Sequence, residues 1–315
     1  GLGLLVLALI RAQSAGLGAG EVLLTGGAAL VLLVIFVVVE ARFAEAPMLP
    51  LELFRSRPFS VTNLLTLFLY AALGGALVYL PLTLIEVHGY SPLAAGAALL
   101  PFVVVLSVLA RFSGGLVDRV GARLPLTVGP MVAAGGFLLL AVPDRGGSYW
   151  TTFFPGMVVL GLGMALVVAP LTTTVLSAVA TRHAGTASGV NNAVSRTGGL
   201  LAVAIFGVVL VHTFDSALDR SLQSIPLTAA QHAQLDAQRS RLALTAAPDG
   251  LDAPTAAAVD DAVASAFVSG VRAVLISAAA LAAASALTAA IGLPARRRPV
   301  PAATRAEGVR AEAPA

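Results

Sequence analysis

From Trp150 to Ala178 the chain runs without a charged side chain. As a helix that stretch would reach about 43 Å, more than the roughly 30 Å of a bilayer's hydrocarbon core. Pro170 within it predicts a kink, which neighbouring helices in a bundle tolerate. Further apolar segments of spanning length fall at 21–40, 59–84, 92–112, 124–142, 187–213 and 266–293. Hydrocarbon offers no partner to backbone N–H and C=O groups, so such runs fold as membrane-spanning helices. With the apolar opening "GLGLLVLALIRA" they make eight.

Composition agrees. Only 11% of the 315 residues are charged, against about 25% in soluble domains. The length would allow two soluble domains, but the charges needed to coat them are missing. The expected fold is therefore all-α, a polytopic transmembrane helical bundle in a lipid bilayer. A pI of about 9.9 goes with a net charge of only +3, and all 19 basic residues are arginine. Their placement follows membrane topology rather than one basic face, so no nucleic-acid partner is expected. Cys is absent, which excludes disulfides, thiolate metal sites and cysteine nucleophiles. The first residue is Gly, and no basic region precedes the apolar run, so a signal peptide is not expected. Its twelve residues reach about 18 Å, which predicts a first helix whose upstream part is missing.

Arginine orients the spans. With 41–58, 113–123, 180–186 and the tail 294–315 on one side, that side holds twelve arginines, counting Arg111 at the adjoining end of the 92–112 span. The other side holds five, and Arg196 and Arg272 fall within spans. The positive-inside rule makes the first side cytoplasmic, the C-terminus included. Residues 214–265, with seven Asp and three Arg, then form an external loop, expected to be a solvated connector. Its stretch "AAQHAQLDAQRSRLALTAA" is compatible with a short surface helix. The tail "ARRRPVPAATRAEGVRAEAPA" reads as disordered.

Signatures of catalysis are missing. There is no HExxH, no GxSxG and no phosphate-binding loop, which would need Lys. "GLGAG" at 16–20 has no strand before it and reads as a flexible turn. His88, His183, His212 and His232 lie far apart in sequence, so no metal site is expected. His88 and Glu86 are expected to be a solvated loop pair at the outer surface. The chain reads as no enzyme.

One polar interruption stands out, "SGGLVDRVGAR" at 113–123. Gly114, Asp118, Arg119, Gly121 and Arg123 fit G-x3-D-R-x-G-x-R on a short cytoplasmic turn between two spans. The glycines permit a tight reversal, the carboxylate suits a helix N-terminus, and the arginines hold the turn inside. This resembles the signature loop of the major facilitator superfamily, although Ala122 stands where the family usually has a basic residue. "EARFAEAPMLPLELFRSRPFSVTNLL", "GYSPLAAGAALLP", "VVAPLTTTVLSAV" and "RHAGTASGVNNAVSRTGGLLAVAIFG" are similar, in kind and order, to stretches of its fourteen-helix drug:proton antiporters. The resemblance runs from residue 1 to about 293.

It implies a bundle of major facilitator type. Residues 1–58 would be two linker helices and a cytoplasmic connector, 59–293 the complete C-terminal six-helix half, and 294–315 a cytoplasmic tail. The missing N-terminal half of the same transporter is the implied partner. No cofactor is implied beyond a proton gradient as energy source. In the family the first and fourth helices of each half line the cavity, here 59–84 and 150–178. Asn63, Thr66 and Tyr70 fall on one helical face there, with Tyr79 farther along. Met157, Gly161 and Met164 form a similar face on the other, suited to an adaptable pocket for cationic or aromatic small molecules. Ordinary helix packing is the competing account of each. "GPMVAAGG" at 129–136 echoes an antiporter motif at the wrong spacing and reads as small-residue helix packing.

Within 187–213, Asn192, Ser195, Arg196 and Gly199 share a face. A charge at mid-bilayer costs roughly 2.5–3.5 kcal/mol on insertion scales, so Arg196 reads either as a gating or structural residue or as snorkelling to the cytoplasmic surface. Arg272 reads as snorkelling at the outer end. The family's loops brace one half against the other. Asp118 would thus meet a helix N-terminus of the missing half, whose own loop would meet Ser188 and Asn191. The reading is the C-terminal part of a proton-coupled exporter of drug-like molecules in a bacterial inner membrane. An uptake or metabolite-exporting facilitator, or a non-transporting membrane fragment, stay open as alternatives.

The arginine count generates a direct check. In a chain without native cysteines, Ser240→Cys is expected to react with an impermeant thiol reagent in intact cells and Val120→Cys is not. The reverse labelling pattern would invert the topology.

Overall fold

The computed structural model describes residues 1–16, 18–42, 51–144 and 146–294. Arg145, residues 43–50 of the connector and the tail from 295 lie outside the described residues, as does the side chain of Asp118. Among the described residues there are helices and no strands. Seven of the helical segments are long and apolar enough to cross a membrane.

Two helices come first, α1 (Leu2–Ala15) and α2 (Gly20–Arg42). They pack as a hairpin. Six spans follow: α3 (Arg57–Glu86); α4 (Pro92–Ala97) continuing into α5 (Leu100–Ser113); α7 (Arg123–Ala141), after the short α6 (Leu116–Val120); α8 (Tyr149–Ser177); α9 (Ala184–Leu222); and α11 (Ala253–Gly292). Several starts are written in the sequence. Pro58, Pro92 and Pro254 occupy first turns, where a missing N–H leaves no orphan. The Ser91 hydroxyl accepts from the Ala94 N–H at 3.2 Å. α8 runs unbroken through Pro155 and Pro170.

The six spans divide into repeats of three, α3–α5–α7 and α8–α9–α11, which run through the bundle in opposite senses. Packing crosses between them. α3 lies against α9 and α11, α8 against α5 and α7, and α7 against α11. The first helix of each repeat therefore rests on the second and third of the other, as an internal two-fold requires. Leu65, Leu69, Phe137, Met157, Leu160 and Met164 fill the centre, all buried. α1 docks on the outside of α9.

Small residues set the closest approach. Gly129, Ala133 and Gly136 of α7 face Leu160 and Gly163 of α8, so 129–136 acts in helix packing as the sequence suggests. A Cβ on Gly163 would lie 2.7 Å from the Gly129 carbonyl oxygen and collide with the Ala133 backbone.

The segment after the fifth of these spans departs from expectation. Residues 214–265 are not a solvated connector, because α9 continues to Leu222 and α11 already starts at Ala253. At 39 and 40 residues these helices reach roughly 58–60 Å, about twice the hydrocarbon thickness. Alanine-rich sequence favours the helix, and Phe214, Leu218, Leu222, Leu235 and Val259 carry the bundle's buried apolar core on into this segment. Between them sits α10 (Ala229–Gln238), opened by a reciprocal Thr228–Gln231 capping box. Arg239 ties the cap together, donating to Asp236 at 2.7 Å and to Asp219 on α9.

The α7–α8 crossing yields a stability test. Gly163→Val is expected to destabilise the bundle by about 1–3 kcal/mol through overpacking, read as a lower unfolding midpoint in detergent. Gly135→Ala, whose added methyl meets nothing within 4 Å, is expected to hold or raise that midpoint. Equal midpoints for both variants would refute the close-packed crossing.

Candidate functional site

The α3–α9 seam gathers the polar side chains of the membrane interior. Asn191 on α9 donates through Nδ2 to the Asn63 Oδ1 at 3.2 Å and to the Thr66 Oγ1 at 2.8 Å. Asn63 donates onward to the Phe59 carbonyl at 2.9 Å, and Thr66 to the Thr62 carbonyl at 2.8 Å. Asn63 and Thr66 are buried and Asn191 is half-buried. Each polar group thus finds a partner that hydrocarbon cannot supply. Farther out, the Tyr79 hydroxyl donates to the Val203 carbonyl at 2.8 Å. Between these bonds the backbones close up, since a Cβ on Gly74 would lie 2.8 Å from the Gly199 Cα.

The neighbouring face of α9 is left open. Ser188, Asn192 and Arg196, one turn apart, are all exposed. Ser195 is half-buried and donates to the Asn192 carbonyl at 2.9 Å. Arg196 makes no hydrogen bond or ion pair among the described residues. A polar stripe at this depth is not a lipid-facing surface. It suits a protein or aqueous neighbour.

The residues expected to line a cavity are placed unevenly. Met157, Gly161 and Met164 are buried inside the bundle. A Cβ on Gly161 would stand 2.9 Å from the Phe102 carbonyl oxygen of α5, so this position serves helix packing. Tyr79 is buried in the α3–α9 seam, whereas Tyr70 keeps partial exposure. The structure brings Asn63 and Thr66 together with Asn191, not with the α8 residues. It also reveals a groove of about 650 Å³ between α4, α5 and α8, with Tyr90, Tyr149, Trp150 and Phe154 in its wall. The Tyr149 hydroxyl donates to the Ala98 carbonyl at 2.7 Å. Trp150 and Phe154, at i and i+4 beside a span's outer end, were the available signal.

In the turn between α5 and α7, Gly114 follows α5 directly and Gly121 closes α6 at φ 81°, a left-handed value that favours glycine. Arg119 is exposed and Arg123 opens α7. Two outer residues differ from expectation. His88 is no solvated partner of Glu86. Its ring stands edge-on to Phe153 at 5.1 Å, and Nδ1 lies 3.2 Å from the Thr83 carbonyl oxygen. Nε2 is buried without a partner, because the turn after α3 folds back under α8. Arg272 does not simply snorkel. Its Nε donates to the Ala141 carbonyl at 2.9 Å, where the last turn of α7 leaves carbonyls unpaired.

The chain is similar to known proteins. Residues 2–203 match the family model described as Major Facilitator Superfamily. The multidrug resistance protein Stp of Mycobacterium tuberculosis is 30% identical over 221 residues, 70% of this chain and 41% of that protein. The tetracenomycin C resistance and export protein of Streptomyces glaucescens is 33% identical over 65% of this chain and 38% of its own length. The cephamycin export protein CmcT of Amycolatopsis lactamdurans is 32% identical over 65% and 42%. The chain thus spans about two fifths of the relatives it matches. In fold it is similar to a bacterial homolog of the human lysosomal transporter Spinster, in an inward-facing and unoccupied conformation. There the TM-score is 0.53 at 18% identity, covering 89% of this chain and 60% of that one.

The seam predicts a contrast between adjacent asparagines. Asn191→Ala leaves the buried Asn63 carbonyl without its donor and is expected to cost about 1–3 kcal/mol of stability. Asn192→Ala, on the exposed face, is expected to stay within about 0.5 kcal/mol. Thermal unfolding of the two variants in detergent separates them, and equal losses would contradict the assignment.

Proposed function

The chain belongs to the Major Facilitator Superfamily, and from that premise we propose that it is the C-terminal part of a proton-coupled exporter of drug-like or antibiotic small molecules. It is a multi-pass bacterial membrane protein; the proposed setting is the inner membrane with the C-terminus in the cytoplasm. The observation that carries the reading is the uncovered polar stripe of α9, Ser188–Asn192–Arg196, within a membrane-spanning helix. Such a stripe needs a polar neighbour. A second half-bundle, closing a translocation path against it, meets that need. The relatives named for multidrug resistance and for tetracenomycin C and cephamycin export support the substrate class.

In this reading α1 and α2 are the two extra helices of a fourteen-helix transporter, and the six spans from α3 to α11 rock as one body against the other half. Substrate is held near the midplane and faces each side in turn. The turn from Gly114 to Arg123, with Asp118 at its centre, braces the cytoplasmic side when it closes. The chain's own residues bind and position, with no catalytic role, and the proton gradient supplies the energy.

The test is efflux. The full-length transporter in a drug-sensitive bacterial host is expected to lower accumulation of ethidium, and an uncoupler is expected to abolish the effect. The chain of residues 1–315 alone, with half of the cavity wall absent, is expected to export nothing. Export that survives the uncoupler would remove proton coupling, and robust export by the lone chain would replace the half-transporter reading.

A further inference from the structure

We propose that Arg196, with Asn192 and Ser188 beside it on α9, is a subsite for an acidic group, a carboxylate, of the transported molecule; the proposal rests on the exporter reading above. The starting point is a charge inventory. None of the chain's 16 acidic residues falls within the six spans 59–84, 92–112, 124–142, 150–178, 187–213 and 266–293. Three arginines do. Arg111 stands at the cytoplasmic end of α5. Arg272 is held by the Ala141 carbonyl at the outer end of α7. Arg196 is exposed, with no hydrogen bond or ion pair among the described residues. Within these six spans the chain therefore places positive charge and no negative charge.

Depth selects Arg196 among the three. It lies nine residues into the 187–213 span, about 14 Å along the helix and close to half the hydrocarbon thickness. Transporters built from inverted repeats hold substrate at this level. A guanidinium presents a planar fork of donors that fits a carboxylate through two parallel hydrogen bonds, which an ammonium cannot reproduce. Asn192 and Ser188 continue the same face one and two turns toward the cytoplasm, both exposed, and add uncharged donors and acceptors along the line of approach. Asn191, bonded to Asn63 and Thr66, fixes the backbone that carries them. Charge complementarity thus points to acidic substrates, whereas recognition of a cation would have to come from the other half.

A carboxylate of the opposite half would present the same chemistry to Arg196, and the experiment separates the two sources. Full-length transporter in proteoliposomes with an imposed proton gradient is given fluorescein or fluorescein methyl ester, which differ by one carboxylate. Arg196→Gln is expected to raise KM for fluorescein about tenfold, the size of one lost charge-assisted contact, and to leave the ester's KM unchanged. Arg196→Lys is expected to fall between, keeping the charge and losing the fork. Equal losses for acid and ester would show that Arg196 pairs with the other half, and no change in either would show a guanidinium turned away from the path; both overturn the proposal. A second readout does not depend on turnover. In a background whose single cysteine is Asn192→Cys, fluorescein is expected to protect that thiol from a maleimide while its ester does not. Equal protection by both overturns the subsite even where transport is intact. A protein that moves neither dye fails as an exporter of them, and the thiol protection still decides the subsite.

Discussion

Inside hydrocarbon a helix gains nothing by hiding apolar surface from lipid, so association rests on close approach and on hydrogen bonds that lipid cannot offer. Both devices join the two three-helix repeats to each other. α7 and α8 meet where Gly129 and Ala133 face Gly163. α3 and α9 meet where Gly74 faces Gly199, with Asn191 bonded to Asn63 and Thr66. Neither repeat can move alone without opening a seam whose polar groups have no other partner. The six spans are in that sense one body, as rocking against a second half requires.

The packing of α9 changes along its own length. Up to residue 213 it meets α3 through Asn191, Gly198 and Gly199, and through Phe206 against Gly75. Beyond residue 213 the buried residues are Phe214, Leu218 and Leu222, packed in one apolar cluster with Leu235 and Val259. Apolar burial holds that part to its neighbours. Charged groups return as well, with Arg239 bridging Asp219 and Asp236.

Much of this was legible in the sequence, for a physical reason in each case. Span positions follow from uncharged apolar runs, because the solvent is uniform and the length requirement is sharp. The packing role of 129–136 follows from residue size alone. The continuation of α9 and α11 outside the membrane was not legible. Residues 214–265 are polar enough to resemble a connector, and the spaced Leu218, Leu222 and Val259 find each other only through the fold. The same holds for the site. Spacing put Met157, Gly161 and Met164 on one face, but spacing does not say which neighbour that face meets, and here it meets the bundle's own interior. Asn63, Thr66 and Asn191 stood out as polar residues in apolar runs, yet their mutual bonds depend on a helix crossing more than a hundred residues away in sequence.

Adjacent residues of α9 divide the labour that remains. A helix turns about 100° per residue, so Asn191 and Asn192 cannot serve the same neighbour. Asn191 is committed to α3 by two hydrogen bonds, and that commitment fixes the rotation of α9 about its axis. Once the rotation is fixed, Ser188, Asn192 and Arg196 are held on the uncovered side. A guanidinium on a loop would find lipid headgroups or water. On a rigid helix pinned through its neighbouring turn, the backbone that carries it keeps one position and faces one way. The buried seam and the exposed stripe are therefore two consequences of one helix orientation.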